Sequence, residues 1–261
     1  MWYVLCVCNI RNDKNMRALH MDPSHLQELV TLEDNYWWHV AKRQLVTRLM
    51  QRYCPAPGRL VEGGIGSGRN LVAFAELGYE VTGFDLMPES VRHVRNRGIE
   101  DVRVHDLGQP WPVDASSLRA VVLLDVLEHL EDPIKVLRHA YTALEEGGAV
   151  IATVPAHPWL YSRWDEQLGH FRRYTTQEFR HQANEAGFRV SFLNYWNSFT
   201  MPAAVVVRSW EKLFPSRTQP DFPSVSSFTN RALLTAAAAE RGWLMNLGLP
   251  TGLSLAGVLQ K

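Results

Sequence analysis

The fold of this chain depends on the stretch Leu60-Val61-Glu62-Gly63-Gly64-Ile65-Gly66-Ser67-Gly68. An apolar pair leads into an acid, glycines follow at alternate positions, and residues 71–75 continue as an apolar run with helical character. Because glycine lacks a Cβ, its backbone takes positive φ without strain and approaches a ligand closely. The unpaired N–H groups at the start of a helix can serve a polar ligand. The stretch therefore predicts a strand, a glycine turn and a helix that hold a nucleotide-like cofactor.

The spacing of the glycines separates this turn from two common phosphate-binding turns. In the dinucleotide fingerprint Gly-x-Gly-x-x-Gly the last two glycines are three residues apart, whereas Gly66 and Gly68 are two apart. A P-loop requires Lys followed by Ser or Thr, and Arg69-Asn70 stands in that place. Both phosphate-binding interpretations are therefore weakened, and a glycine turn that serves only packing remains an alternative.

The segments predicted as strands two, three and four each end in an acid, at Asp85, Asp106 and Asp125. A carboxylate after the second strand suits paired hydrogen bonds to both hydroxyls of a ribose. Asp85 could instead cap the helix that begins at Pro88. Asp106 suits an exocyclic adenine amine. Residues 120–124 are apolar throughout, which is typical of a parallel strand covered on both faces.

Together these motifs resemble those of the class I S-adenosylmethionine-dependent methyltransferases. The order and spacing of the glycine turn, of Asp85 and Asp106, and of Leu-Asp-Val-Leu-Glu-His-Leu over 124–130 all match that family. The resemblance implies S-adenosylmethionine as the cofactor. It also implies an α/β fold, a Rossmann-like three-layer sandwich with a seven-stranded, mostly parallel sheet whose last strand is antiparallel.

The resemblance also implies which residues bind the cofactor. They are Glu62, Gly64, Gly66, Gly68, Asp85, Leu86, Asp106, Leu107, Asp125 and Val126. Two positions depart from the family pattern, because Glu62 stands where aspartate is commoner and Gly63 where a branched apolar residue is usual. Glu62 keeps the carboxylate that the family places near the methionine end of the cofactor, whereas Gly63 is expected to loosen the end of the strand.

The rest of the chain is predicted to surround one sheet. Strands and helices alternate in the rhythm of a parallel sheet, and Gly147-Gly148 is interpreted as a C-cap of the fourth helix of that series. Residues 1–20 are predicted to be an extension that is flexible or not native, and 21–261 a single methyltransferase domain. Within that domain, 21–57 are predicted as lid helices and 197–247 as a helical insertion before the last strand.

A long loop over 155–174 is the predicted site of acceptor binding. Loops of this length inside a compact domain are usually functional or disordered, and its aromatic and basic residues argue against disorder. Trp164 and Tyr174 of this loop, with Trp38 of the second predicted helix, are expected to contact the substrate, because aromatic rings form a dry pocket and attract a cationic sulfonium. For Trp38 the alternative is packing of a lid helix on the sheet.

His129 and His170 are the predicted catalytic bases, because an unperturbed imidazole titrates near neutrality, at about 6.5. For His129 the alternative is a structural hydrogen bond. For His170 the alternative is a packing contact with Asp165 or Tyr174. Glu128 is expected to orient an arginine or backbone groups rather than to act as a base.

The composition excludes several classes of protein. Lys plus Arg and Asp plus Glu number 27 each, so the chain as a whole offers no electrostatic case for binding nucleic acid. Three cysteines give no disulfide framework, and the spacing of Cys6 and Cys8 is not that of a zinc site. The sequence predicts no metal, a cytoplasmic location, and no segment with the roughly 18 to 20 apolar residues that a membrane span requires.

The resulting prediction is an enzyme that moves the methyl group by in-line displacement to an O or N atom of a small molecule. Sugar, natural-product and lipid-like acceptors all remain open, as do peripheral lipid contact and a monomeric or homodimeric state. One alternative is a non-catalytic module that binds S-adenosylmethionine and recognises a partner through the loop 155–174. A nicotinamide-dependent oxidoreductase is the other.

Overall fold

The computed structural model describes residues 23–213 and 225–261 of the chain. The predicted extension over 1–20, with Cys6 and Cys8, lies outside these residues. The strands of the described chain are β1 (Gly58–Gly63), β2 (Tyr79–Asp85), β3 (Val102–Val104), β4 (Leu118–Leu124), β5 (Leu144–Pro155), β6 (Arg189–Trp196) and β7 (Ser254–Gln260).

Helices connect the strands and also precede the first of them. They are α1 (Pro23–Leu32), α2 (Trp37–Tyr53), α3 (Arg69–Glu76), α4 (Pro88–Asn96), α5 (Pro133–Ala143), α6 (Arg163–Gln167), α7 (Thr176–Glu185), α8 (Met201–Leu213) and α9 (Ser227–Asn246). Two short 3-10 turns, Leu127–His129 and Pro158–Leu160, follow β4 and β5.

All seven strands form one sheet in the order β3-β2-β1-β4-β5-β7-β6. Strand β1 pairs in parallel with both β2 and β4, and β7 is antiparallel to its neighbours β5 and β6. The Rossmann-like fold predicted from the sequence is therefore confirmed. Strand order reverses between β1 and β4, and ligands of open α/β sheets bind at the carboxyl ends of the strands beside such a reversal.

The core lies on both faces of the sheet. Successive residues of β4 point to opposite faces of the sheet. Val121 and Leu123 pack towards α5 and α7, whereas Val122 packs towards α2 and α3. Each fully buried side chain of this size contributes roughly 1.5 to 3 kcal/mol to the free energy of unfolding. Burial on both faces explains the continuous apolar run of the strand and gives the three predicted layers.

The predicted C-cap at Gly147-Gly148 is wrong. Helix α5 ends at Ala143, and both glycines lie inside β5. The pairing of β4 with β5 is irregular between Leu118 and Ala120, and Gly147 at φ +77° lies in the corresponding part of β5. The glycines therefore accommodate a bulge of the strand instead of ending the helix.

Helices α8 and α9 lie between β6 and β7, where the sequence predicts an insertion. Helix α9 packs on α2, and the two segments are joined where Asn230 Oδ1 accepts from Trp37 N at 2.8 Å and Asn230 Nδ2 donates to Asn35 O at 2.7 Å. None of the helices in the described residues has the length and apolar character to cross a membrane.

Candidate active site

The glycine turn between β1 and α3 requires glycine at two of its positions. Gly64 and Gly68 take φ of +72° and +74°, in the left-handed region that side chains disfavour. A Cβ on Gly64 would lie 2.7 Å from Val126 Cγ2, and one on Gly68 would lie 2.8 Å from Val94 Cγ1. A side chain at Gly64 or Gly68 would therefore be strained and would also clash with its neighbours. The close packing at Gly64 joins the turn to Val126 after β4.

Asp85 fixes the shape of this turn. Its Oδ2 accepts from Gly66 N at 3.0 Å and its Oδ1 accepts from Met87 N at 2.8 Å, while burial raises the pKa of the carboxyl group. Met87 holds the N-cap position of α4, so Asp85 is not the capping residue. Each carboxylate oxygen accepts more than one hydrogen bond, and Asp85 therefore keeps the capacity to accept from ribose hydroxyls.

Glu62 provides the test of whether the site fits S-adenosylmethionine. Its side chain is 1% exposed, Oε1 accepts from Asn70 Nδ2 at 3.2 Å, and Oε2 has no hydrogen-bond partner among the described residues. Burial raises the pKa of this carboxyl group to about 8. A buried acceptor without a partner suits a bound cation, and the ammonium at the methionine end of the cofactor supplies both a donor and a charge. The residues present therefore fit the cofactor.

Close packing at the end of β1 explains why Gly63 has no side chain. A Cβ at this position would lie 2.9 Å from both Leu107 Cδ1 and Leu123 Cδ2. Leu107, a predicted cofactor residue, thus lies over the end of β1. Asp106 is exposed and accepts from Gly108 N at 2.8 Å, and Leu86 is 37% exposed beyond the end of β2.

Lys42 of α2 reaches the end of β4, which the sequence did not predict. Its Nζ lies 2.7 Å from Asp125 Oδ2 and 3.9 Å from the centroid of the Trp38 ring. Asp125 stands at φ +54° and also accepts from Thr153 Oγ1 at 2.9 Å. Burial opposes ionisation of Asp125, but the charge and hydrogen bond of Lys42, together with the hydrogen bond from Thr153, outweigh it and hold the pKa of the carboxyl group below its usual range. The only indication in the sequence that Lys42 belongs to this site is its position four residues after Trp38 on one helix.

Helix α1 and the segment after it contact the glycine turn from the other side. Glu33 is buried and accepts from the hydroxyl of Ser67 and from the guanidinium of Arg97. Asp34 Oδ1 lies 2.7 Å from Nε of Arg69, the first residue of α3. The N-terminal helices therefore cover the turn on which the cofactor prediction rests.

The 3-10 turn after β4 brings three functional groups together. One carboxylate oxygen of Glu128 and one ring nitrogen each of His129 and His170 lie within 4.8 Å of one another, and the two imidazoles meet edge to face at 4.6 Å. Burial, and then the neighbouring His170, lower the pKa of His129 to about 4, so its ring is neutral at neutral pH. The lowered pKa also makes His129 a weaker base than an ordinary imidazole. The ligand types of the group could hold a metal ion.

Glu128 differs from its predicted role. Both carboxylate oxygens are buried without a hydrogen-bond partner among the described residues, and its backbone oxygen accepts from Phe171 N at 2.8 Å. Burial, and then the charge of Asp125, raise the pKa of Glu128 well above its usual value. Glu128 therefore makes no side-chain hydrogen bond to an arginine among the described residues.

The predicted substrate residues lie in different surroundings. Trp38 stacks on Trp196 at 6.0 Å beneath Lys42, and Trp164 is half-buried on α6. Tyr174 is 1% exposed, and its hydroxyl donates to Leu127 O at 3.2 Å. Tyr174 is therefore buried and supports the turn that carries His129.

A Rossmann-like sheet with an acid-led glycine turn and acids after the next strands defines the class I S-adenosylmethionine-dependent methyltransferases. The family model described as a methyltransferase domain matches residues 36–191. The chain belongs to this family, and the resemblance predicted from the sequence is confirmed. S-adenosylmethionine is the cofactor of the family.

Individual proteins are similar to the chain at lower identity. The ubiquinone biosynthesis O-methyltransferase of Xanthomonas axonopodis pv. citri (strain 306) is 28% identical over 153 residues, which cover 53% of this chain and 64% of the relative. The chain thus spans less than two thirds of that relative's length.

Two solved structures share the fold. A complex of the Haloferax volcanii Trm112 methyltransferase activator with a putative methyltransferase gives a TM-score of 0.61 at 20% identity, over 91% of this chain and 94% of that one. The [4+2]-cyclase SpnF also gives a TM-score of 0.61, at 17% identity over 91% and 92% of the two chains.

Proposed function

We propose that this chain transfers the methyl group of S-adenosylmethionine to an oxygen atom of a small-molecule acceptor. The observation that carries the proposal is the group formed by Glu128, His129 and His170 after β4, one strand away from the glycine turn. A neutral imidazole accepts the proton of a hydroxyl at neutral pH, which makes the oxygen a better nucleophile. Similarity to an O-methyltransferase favours oxygen over the nitrogen atom that the sequence also allows.

The glycine turn, Asp85 and Glu62 would hold the cofactor. In this proposal Asp85 accepts from the ribose hydroxyls and Glu62 binds the ammonium of the methionine end. The bound cofactor supplies an electrophilic methyl group for in-line displacement. The chain then has to align the acceptor and exclude water, and positioning alone is worth effective molarities of about 10⁵ M or more.

The helices α1 and α2 would act as the lid of this site. Support comes from the contacts of Glu33 with the turn and of Lys42 with Asp125. Trp38 and Trp164 are proposed to line the acceptor pocket between α2 and the loop 155–174. A cytoplasmic location and a monomeric or homodimeric state stay predictions.

A second candidate is a module that binds S-adenosylmethionine without methyl transfer. It is supported by the likeness of the fold to a structure named as a [4+2]-cyclase, because one fold hosts unrelated activities. Incubating the protein with S-adenosylmethionine labelled in the methyl group and an extract of the producing cells separates the two. We expect a labelled small molecule; tight binding of S-adenosylhomocysteine without any labelled product would favour the module.

Asp85→Asn is expected to weaken binding of S-adenosylhomocysteine by about 10- to 100-fold, because the loss of a charged acceptor costs about 1.5 to 3 kcal/mol. Isothermal titration calorimetry measures the change. The exposed Asp114 provides the matched control, since Asp114→Asn removes the same charge far from the turn and should leave the affinity unchanged. A folded Asp85→Asn variant with the wild-type dissociation constant would refute the assignment of Asp85 to the ribose.

A further inference from the structure

Asp165 is a buried carboxylate on which three side chains from two segments converge. It is 0% exposed on α6, and its Oδ1 lies 3.0 Å from His170 Nδ1 and 2.7 Å from Arg173 Nε. Its Oδ2 accepts from Arg208 Nη1 at 3.1 Å and from Ser162 N at 2.9 Å. Burial opposes ionisation, but the contacts with His170, Arg173 and Arg208 outweigh it and lower the pKa of Asp165 to about 2.

An ionised carboxylate can only accept hydrogen bonds, so the nitrogen that faces Asp165 has to carry a proton. In a neutral imidazole the other nitrogen is then an acceptor. We propose that Asp165 is a positioning residue that holds His170 with a proton on Nδ1, so that Nε2 receives the proton of the acceptor hydroxyl. This inference rests on the proposed function, because it assigns the base of that same reaction.

Hydrogen bonds also hold the backbone around His170. Tyr161 donates its hydroxyl proton to His170 O at 2.7 Å, and the next residue, Phe171, donates its N–H to Glu128 O at 2.8 Å. These contacts join the loop 155–174 to the turn after β4. The edge-to-face contact of His170 with His129 is therefore held from both sides, as a base in a preorganised site requires.

Helix α8, in the segment predicted as an insertion, also contacts Asp165. Arg208 lies on α8 and donates to Leu160 O as well as to Asp165, while Arg173 Nη1 donates to Ala156 O at 3.0 Å. The two guanidinium groups keep Asp165 charged and leave its hydrogen bond with His170 in place. Helix α8 is therefore linked through Asp165 to His170, the proposed base.

The proton of the acceptor hydroxyl moves to Nε2 of His170, the acceptor oxygen gains the methyl group, and the electron pair of the broken carbon–sulfur bond stays on sulfur. The imidazolium that forms is paired with Asp165 and returns its proton to solvent. Loss of a positioned base costs about 10²- to 10⁴-fold in rate.

Measuring the tautomer of His170 tests the proposal and requires no methyl acceptor. We expect the ¹⁵N spectrum of the labelled protein, after dialysis against EDTA, to show a protonated Nδ1 and an unprotonated Nε2 for His170, with His170→Gln identifying the signals. In Asp165→Asn the proton should shift towards Nε2. A wild-type protein with the proton on Nε2 overturns the proposal, even if the Asp165→Asn variant fails to fold.

Methyl transfer to the acceptor found in the cell extract provides the second measurement. Asp165→Asn should lower kcat by about 100-fold or more with little change in KM, whereas Asp132→Asn, which alters the exposed cap of α5, should leave both unchanged. If wild type transfers methyl groups and Asp165→Asn does so equally fast, the positioning role is wrong and the proposed function stands. If wild type transfers none, the proposed function fails and the tautomer alone decides how His170 is held.

Discussion

Gly68→Ala is expected to lower the free energy of unfolding by about 2 to 5 kcal/mol. The backbone of Gly68 stands at φ +74°, where a residue with a Cβ costs about 1 to 2 kcal/mol. The added methyl group would also overlap Val94 Cγ2 and lie 2.8 Å from Val94 Cγ1, and overpacking of this kind costs about 1 to 3 kcal/mol. Urea unfolding of the cofactor-free protein measures the change.

Gly98→Ala is the matched control for this prediction. Gly98 stands at φ +86°, but a Cβ built on it meets no atom within 4 Å, so only the backbone cost of about 1 to 2 kcal/mol applies. The double change Gly68→Ala with Val94→Ala should regain part of the loss, because it removes the methyl groups that overlap. Equal destabilisation at Gly68 and Gly98 would show that packing against Val94 does not contribute.

The parts of the fold that sequence predicted correctly are those with local signals. The glycine turn, the acids after the strands and the apolar run of β4 each follow from residues that are neighbours in sequence. The bulge at Gly147 was missed for the opposite reason, because two glycines after a helix look alike whether they cap the helix or lie in a strand. Only the pairing of β5 with β4 decides between them.

The candidate site was predicted less completely, because its contacts join distant segments. Lys42 and Asp125 are 83 residues apart, and Arg208 and Asp165 are 43 apart. No periodicity links such residues in a single sequence. His129 and His170 were both predicted as bases, yet their contact depends on how the loop 155–174 folds over the turn after β4.

Glu62 should make the stability of the cofactor-free protein fall as pH rises. The folded protein keeps this carboxyl group protonated up to a pKa of about 8, whereas the unfolded chain loses the proton near the ordinary glutamate pKa of 4.5. Between those two pH values the unfolded state binds fewer protons, so this group lowers the free energy of unfolding by about 1.4 kcal/mol for each pH unit. Below the window and above it, Glu62 adds no pH dependence.

Glu62→Gln removes this titration and keeps the size of the side chain. The variant should gain stability over wild type as pH rises from about 4.5 to about 8, which urea unfolding at several pH values measures. Glu128 also titrates with a raised pKa, but it is present in both proteins and cancels in the difference. A difference that does not change with pH would mean that Glu62 is ionised in the free protein.

Binding of the cofactor should remove the proton from the carboxyl group of Glu62. At pH 7 the free protein holds the proton, and the ammonium of S-adenosylhomocysteine favours the carboxylate, so binding should release about one proton. Calorimetry in two buffers with different enthalpies of ionisation counts that proton. Glu62→Gln should release none and should bind about 10- to 100-fold more weakly, because the ammonium loses a charged acceptor. If the variant is more stable at pH 8 yet binds as tightly as wild type, Glu62 is a buried carboxyl group with no part in holding the cofactor.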